Sequence, residues 1–328
     1  MIALTSDLSK ADLGLSPETY KEIQSSTTTI IHSAWAVNFN LGTSSFEDQH
    51  IKGMHNLVEL SLSVSAPSPA RLFFCSSIAT ALATPAPATI PEAPIHDLKA
   101  ALPQGYARSK LVAEHIVRNA AAHVGARTRI LRIGQIVGDG KTWLWNDTEA
   151  VPLIIRSALT LGILPALDET QSWLPVDTLA STILELAGIT TPQPPASDTN
   201  LDLVYNLVNP DIFSWTDDLL PELHRSGLSF TVVSANEWLQ KLRDYQKDGG
   251  DPEQNPAVKL IDHFEQRFAG TKKQAGEITF ETKTAEKHSE ALGEAPRMIE
   301  DGYVKKFVEV WLKKWKGEGR GLEIASSG

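Results

Sequence analysis

Short apolar runs alternate with longer stretches of helical spacing through the first half of the chain, the pattern of a parallel α/β sheet. Residues 2–5, 28–32 (TTIIH), 71–75 (RLFFC) and 127–133 (RTRILRI) are predicted strands. Ser16, Pro17 and Glu18 supply a helix N-cap, a proline at the first helical position and an acidic first turn. Within residues 46–64, Ile51, Met54, Val58 and Leu62 recur at helical spacing, with Leu57 beside them. Another helix is predicted over 107–122, stopping near Gly125.

The second half is less regular. Residues 203–208 (LVYNLV) and 228–234 (LSFTVVS) read as strands, and Asn236, Glu237 and Trp238 open a helix. Proline-rich stretches at 84–94 and 190–195 read as loops, and the polar, lysine-rich residues 270–291 as a mobile surface segment. The last predicted helix, 303–316, places Val304, Phe307, Val308, Trp311 and Trp315 on one side and Lys305, Lys306, Lys313 and Lys314 mostly elsewhere. That pattern is a helix docked by its apolar face with a solvated basic face; a basic surface for an acidic protein partner is the other reading.

A length of 328 residues allows one large or two moderate domains, and 42% apolar residues is ordinary for a globular chain. A net charge of −10 argues against general binding of nucleic acid or anionic membrane, which needs clustered positive charge. Cys75 is the only cysteine, so no intrachain disulfide framework or cysteine-based zinc cluster exists, and a reducing, cytoplasmic setting fits. No secretory signal is visible at the start. The most apolar stretch, 151–167, contains Arg156, Pro152 and Pro165 and is too short and interrupted to span a bilayer.

The chemistry concentrates at Ser77, Tyr106 and Lys110. Tyr106 and Lys110 lie four apart at the head of a predicted helix and therefore share a face. An ammonium beside a phenol favours the phenolate and draws its pKa down from about 10. The phenol can then protonate a carbonyl oxygen as hydride reaches the carbon. Ser76 and Ser77 follow an apolar strand at its carboxyl end, where parallel sheets place their sites. A hydroxyl there can hold the reacting oxygen, although capping of the next turn explains either serine equally simply. Tyr106 taken alone is equally a helix-surface aromatic beside a solvated lysine.

Nothing else in the chain competes. The nine histidines show no HExxH spacing, so no metal site is expected. No Gly-x-Ser-x-Gly elbow marks Ser77 as a hydrolase nucleophile. Asp97, Asp139 and Asp177 read as solvated or capping residues, and Trp143 and Trp145 as core or loop anchors rather than stacking platforms.

These residues and the strings around them resemble the extended short-chain dehydrogenase/reductase superfamily. More narrowly, they resemble the terminal thioester-reductase domains of nonribosomal-peptide-synthetase-like enzymes and of carboxylic acid or aminoadipate reductases. The strings include SDLSKADLGLS (6–16), IIHSAWAVNFN (30–40), FFCSSIA (73–79), GYARSKLVAEHI (105–116), LRIGQIVGD (131–139) and WLPVDTLA (173–180). Beyond about residue 240 the resemblance is loose. It implies a catalytic set of Ser77, Tyr106 and Lys110, with Ser77 favoured over Ser76 and Lys110 also holding the nicotinamide ribose. It implies cofactor contacts from Asp7 near the adenine, from His32, Ser33, Ala34 and Trp35 under the dinucleotide, and from Ile133, Gly134, Gln135 and Ile136 near the nicotinamide. The implied activity is NADPH-dependent reduction of an acyl thioester, carried on a protein's phosphopantetheine arm, to an aldehyde or alcohol in secondary metabolism.

The resemblance also implies a strand, a Gly-x-x-Gly-x-x-Gly turn, a helix and a second strand ahead of the Asp-Leu-Ser string, where this chain has Met1. Those glycines let a backbone approach pyrophosphate at a helix N-terminus. Gly134, Gly138 and Gly140 follow a later strand and do not replace them. The expected architecture is thus an N-terminally truncated Rossmann-like parallel sheet over residues 1–140. A smaller C-terminal α/β substrate-binding region follows over 141–328. Two missing strands would leave a gap of roughly 10 Å between strands 2–5 and 28–32, which either pair directly or leave an open edge. NADPH is the expected cofactor, with its grip weakened by the missing turn. The alternative function is a truncated homologue with weak or no dinucleotide binding, acting as a partner-binding protein or in redox-neutral thioester chemistry.

Overall fold

Four largely apolar runs come together as one parallel sheet whose two middle strands are buried on both faces. The computed structural model describes residues 2–190, 202–269 and 277–325. The chain divides into two compact units that interleave along the sequence. The first comprises residues 1–134, 179–208 and 278–294; the second comprises 135–178, 209–277 and 295–328.

In the first unit, in chain order, the strands are β1 (Thr29–His32), β2 (Arg71–Ser77), β3 (Ala88–Ile90), β4 (Arg127–Ile133), β5 (Asp202–Leu207) and β6 (Ile278–Phe280). The main sheet has the order β1-β2-β4-β5, all parallel, with Cys75 opposite Leu131 and Ser77 opposite Ile133. The strand expected near 203–208 therefore pairs in this sheet. The short β3 and β6 form a separate parallel pair. Three helices matter here: α1 (Pro17–Ser26), α2 (Gly53–Ser63) and α3 (Gly105–Val124). Ser16 caps α1 through its side chain, which accepts from Thr19 N at 3.2 Å. Leu57 and Val58 of α2, Val117 of α3 and Leu72, Phe74, Ile130 and Val204 of the sheet share one core. Each such side chain contributes about 1.5–3 kcal/mol by leaving water.

Helix α3 carries the Tyr-x-x-x-Lys pair, and both its ends depend on glycine. Gly125 ends it in the left-handed conformation at φ 72°. At its head, a Cβ on Gly105 would lie 2.2 Å from the Leu41 carbonyl oxygen and 2.5 Å from Gly42 C. Only glycine lets the loop ahead of the 3-10 turn Thr43–Phe46 approach this closely.

Two expectations are corrected. Residues 2–5 are not a strand: Ile2 is 83% and Leu4 48% exposed, and neither enters a ladder. Apolar residues form a strand only where an edge takes up their backbone groups. The described part of 270–291 is ordered structure rather than a mobile segment, with β6 followed by helices Lys283–His288 and Glu290–Gly293. The carboxylate of Glu92, from the proline-rich stretch, accepts from Thr284 N at 2.5 Å and Ala285 N at 3.0 Å and so caps the first of these helices. That stretch is not all loop either, since it contains β3. The expected loop at 190–195 lies almost wholly outside the described residues.

The second unit has short strand pairs around a core rich in aromatics. Its last helix, Tyr303–Ala325, buries Val304, Phe307, Val308, Trp311 and Trp315 as the spacing predicts. Lys305, Lys306 and Lys313 are exposed, while Lys314 donates to Asp147 at 2.7 Å. Trp145 is buried against Trp173, Phe307 and Trp311, and Trp143 packs edge-on to Tyr303. Among the described residues, no helix is long and apolar enough to cross a membrane.

Candidate active site

The carboxyl end of β2 separates the two serines by function. Ser76 and Ser77 are successive strand residues and take different partners. Ser76 turns inward and donates to Glu114 Oε1 at 2.6 Å. Ser77 is half-buried, its side chain accepts from Ala79 N at 3.2 Å, and its hydroxyl lies near enough to the Tyr106 phenol to pull the phenol's pKa down. The capping role and the site role thus fall on the same hydroxyl.

Tyr106 projects from the first turn of α3. Burial raises its pKa above the usual phenol value, against the opposing pull of the Ser77 hydroxyl. Lys110 does not draw it down as the spacing suggests. Its ammonium lies 5.9 Å from the centre of the Tyr106 ring and donates instead to the Cys75 carbonyl. The phenol therefore keeps its proton through neutral pH and is a donor.

Lys110 is buried beneath the tyrosine, 4.7 Å from the Trp35 ring centre and 5.0 Å from that of Phe74. Burial lowers its pKa to about 8, while Cys75 and Glu114 pull it up. The ring faces supply cation–π attraction to the desolvated charge. One turn further along α3, Glu114 is locked by Arg132 of β4, with Nη2 2.9 Å from Oε2. Arg132 Nη1 also donates to the Ala93 carbonyl at 3.0 Å. This buried pair ties β2, α3 and β4 together directly behind the Ser77–Tyr106 pair. Sequence reasoning missed it; the signal was two arginines inside the apolar run of β4.

The other sequence-predicted residues form a second cluster. His32 ends β1 and is buried, its ring stacked on Phe74 at 6.1 Å, with Nε2 lacking a hydrogen-bond partner. Burial first, then Lys110 and His50, lower its pKa to about 4, so it is neutral at pH 7. Ser33 and Ala34 are exposed; Trp35 is buried and donates from Nε1 to Ser109 Oγ at 3.3 Å. Ala34, Trp35 and Ala36 line a cavity of about 360 Å³ with Ser6, Leu8, Gln49 and His50. Asp7 stands beside it, its Oδ1 accepting from Ser9 Oγ at 2.6 Å and from Gln49 Nε2 at 3.1 Å. Those bonds, Ser9's first, hold its pKa below the usual carboxylate value. Gln49 and His50 were not foreseen; they sit on a π-helical turn, Glu47–Lys52, whose spacing the 3.6-residue pattern does not register.

The loop after β4 is divided. Ile133 and Gly134 close the strand in the first unit, with Gly134 N bonded to the Leu207 carbonyl at 3.0 Å. Gln135 and Ile136 belong to the second unit, where Ile136 pairs with Leu174.

A family model described as Male sterility protein, of the NAD-binding kind, matches residues 1–183. The chain belongs to that family. Among curated relatives of this male-sterility-type chain, the adenylate-forming reductase Nps10 of Heterobasidion annosum is 36% identical over 82% of it. The carboxylic acid reductase of Neurospora crassa is 32% identical over 94% of it. The chain spans only 24% and 29% of those proteins' lengths. In structure, it is similar to the terminal R domain from the myxalamid PKS-NRPS biosynthetic pathway. That match has a TM-score of 0.76 and 22% identity and covers 95% of this chain and 75% of the other. The last comparison establishes the fold, a Rossmann-like parallel α/β sheet.

Proposed function

We propose that this chain is an NADPH-dependent reductase of acyl thioesters, with the acyl group carried on a phosphopantetheine arm and released as an aldehyde or alcohol. The observation that carries this reading is the grouping of Ser77, at the carboxyl end of β2, with Tyr106 and buried Lys110, whose ammonium lies 5.9 Å from the Tyr106 ring centre. The relatives named as reductases of carboxylic acids and as adenylate-forming reductases support it.

The residues of the first unit suit a dinucleotide in part. The cavity beside Asp7 and Trp35 offers both polar and apolar lining, and the buried, unpartnered Nε2 of His32 is a polar atom awaiting a contact nearby. Asp7, His32, Ser33, Ala34, Trp35 and Lys110 would hold the cofactor, with Ile133 and Gly134 at the end of β4. When bound, the nicotinamide supplies hydride to the thioester carbonyl carbon. Tyr106 and Ser77 then face the oxygen on which charge develops. Tyr106, kept protonated by burial, donates its proton there, and Ser77 holds the oxygen in place. Lys110 keeps a positive charge below the phenol as that proton leaves. Collapse of the resulting tetrahedral carbon expels the thiol and leaves an aldehyde.

Calorimetric titration with NADPH, with NADH for comparison, tests the first half of this reading. Loss of nicotinamide absorbance with benzoyl-pantetheine tests the second. Micromolar NADPH binding with aldehyde formation is expected; the absence of both at millimolar cofactor would sink the proposal.

A further inference from the structure

Phe39 is a large aromatic side chain that the structure sets against Tyr106 from an exposed loop. Its ring meets the tyrosine ring at a centroid distance of 5.3 Å and 83°, edge to face, while 45% of the residue is accessible to solvent. The position is built. Asn38 Oδ1 accepts from Asn40 N at 3.0 Å, a tight turn with Phe39 at its tip. Two residues later the backbone is pressed against Gly105 at the head of α3. The loop from 36 to 42 contains no charged side chain and presents Val37, 69% exposed, as a second apolar group. On the body of the unit, Tyr106 packs with Ile95 and Leu102 against a small apolar cluster.

An oxygen hydrogen-bonded to Tyr106 lies about 3 Å from the phenol oxygen. The group attached to that carbonyl then falls within reach of the Phe39 ring. An exposed aromatic ring in an uncharged loop favours a planar apolar neighbour and offers nothing to a carboxylate. Building on the thioester reading, we propose that Phe39 is the specificity-determining wall of the acyl site and selects uncharged aromatic acyl groups.

The test reads binding, so that it does not depend on turnover. Wild type, Phe39→Ala and Phe39→Leu are titrated calorimetrically, with and without NADPH. The ligands are the benzoyl, hexanoyl and acetyl amides of aminopantetheine, in which NH replaces the thioester sulfur. Wild type should bind the benzoyl amide about tenfold more tightly than the acetyl amide, about 1.4 kcal/mol. Phe39→Ala should erase most of that ratio, and Phe39→Leu should recover hexanoyl binding but not the benzoyl preference. An equal loss for all three amides would make Phe39 a mere support for Tyr106 and overturn the inference. So would an unchanged ratio, or a wild type that binds none of them. A protein that prefers the benzoyl amide yet reduces no benzoyl thioester would sink the reductase reading and leave the aromatic wall standing.

Discussion

Ser76 and Glu114 are joined by a buried 2.6 Å hydrogen bond, while Ser77, one residue on and close to Tyr106, accepts from Ala79 N at 3.2 Å. Neighbouring hydroxyls thus have separable tasks. Ser76→Ala strips a buried carboxylate of a donor and should cost about 1–3 kcal/mol of stability. Ser77→Ala, which removes the cap on Ala79 N, should cost about 0.5–2 kcal/mol of stability and lower turnover about 100-fold, as loss of one oxyanion donor does. Paired denaturation and rate measurements check both. A Ser77 variant with wild-type turnover would remove it from the site.

Tyr106→Phe deletes the proton donor and leaves the ring in contact with Phe39 and Lys110. Thioester reduction should fall about 10²–10⁴-fold, the range for loss of a general acid. Circular dichroism and thermal midpoint should be little changed. Unchanged turnover in the Phe variant would end the assignment of Tyr106.

Much of this arrangement can be read from the chain before any coordinates. The strand at 71–77 declares itself by its apolar Leu72-Phe73-Phe74-Cys75 run, and that at 127–133 by β-branched and apolar residues between arginines, both with buried interiors. Tyr106 and Lys110 declare themselves because helical spacing alone puts them on one side. The Glu114–Arg132 pair does not, since which charges meet across a sheet depends on strand order rather than spacing. Residues 2–5 carry strand-like composition, but composition is silent on whether an edge is there to receive them. The helix at 283–288 is capped at its N-terminus by Glu92, far away in sequence, a contact that no local pattern announces. The direction of the Tyr106 shift was legible to neither pattern nor spacing, because burial and the Lys110–Cys75 bond decide it.

Gly105→Ala should act on fold and site together. The added methyl group would stand 2.2 Å from the Leu41 oxygen and 2.7 Å from Thr43 N, both backbone atoms that move only with the loop. Overpacking of this kind costs roughly 1–3 kcal/mol. Because the same loop carries Phe39, the Michaelis constant for thioester should rise as well. A Gly105→Ala protein matching wild type in urea midpoint and in Michaelis constant would contradict the close approach.

Lys110 should leave a signature in alkaline stability. Its folded pKa, about 8, lies below the unfolded value of 10.5. Between those limits the unfolded chain binds more protons than the folded one, so this group makes stability rise with pH from 8 to 10.5. Below pH 8 both states are charged and the burial cost is paid in full. Measured against Lys110→Met, wild type should gain stability across that window and show a constant difference below it. A difference independent of pH up to 10.5 would mean that the lysine titrates normally and is not held in the ring cage.

His32 gives the complementary signature in acid. Its folded pKa of about 4 lies below the ordinary 6.5, with burial as the main cause and the charges of Lys110 and His50 adding to it. Between pH 6.5 and 4 the unfolded chain takes up a proton that the folded one refuses, so stability falls as pH falls through that window. Above 6.5 the contribution is complete. His32→Phe keeps the stacking on Phe74 and removes the titration, so its stability should decline less than wild type's from pH 6.5 to 4. If cofactor binding engages the unpartnered Nε2, NADPH affinity should drop in the same variant at pH 7, where the ring is already neutral. A variant with the wild-type acid profile would show that His32 is not sealed in the core, and unaltered NADPH affinity would remove it from the cofactor site.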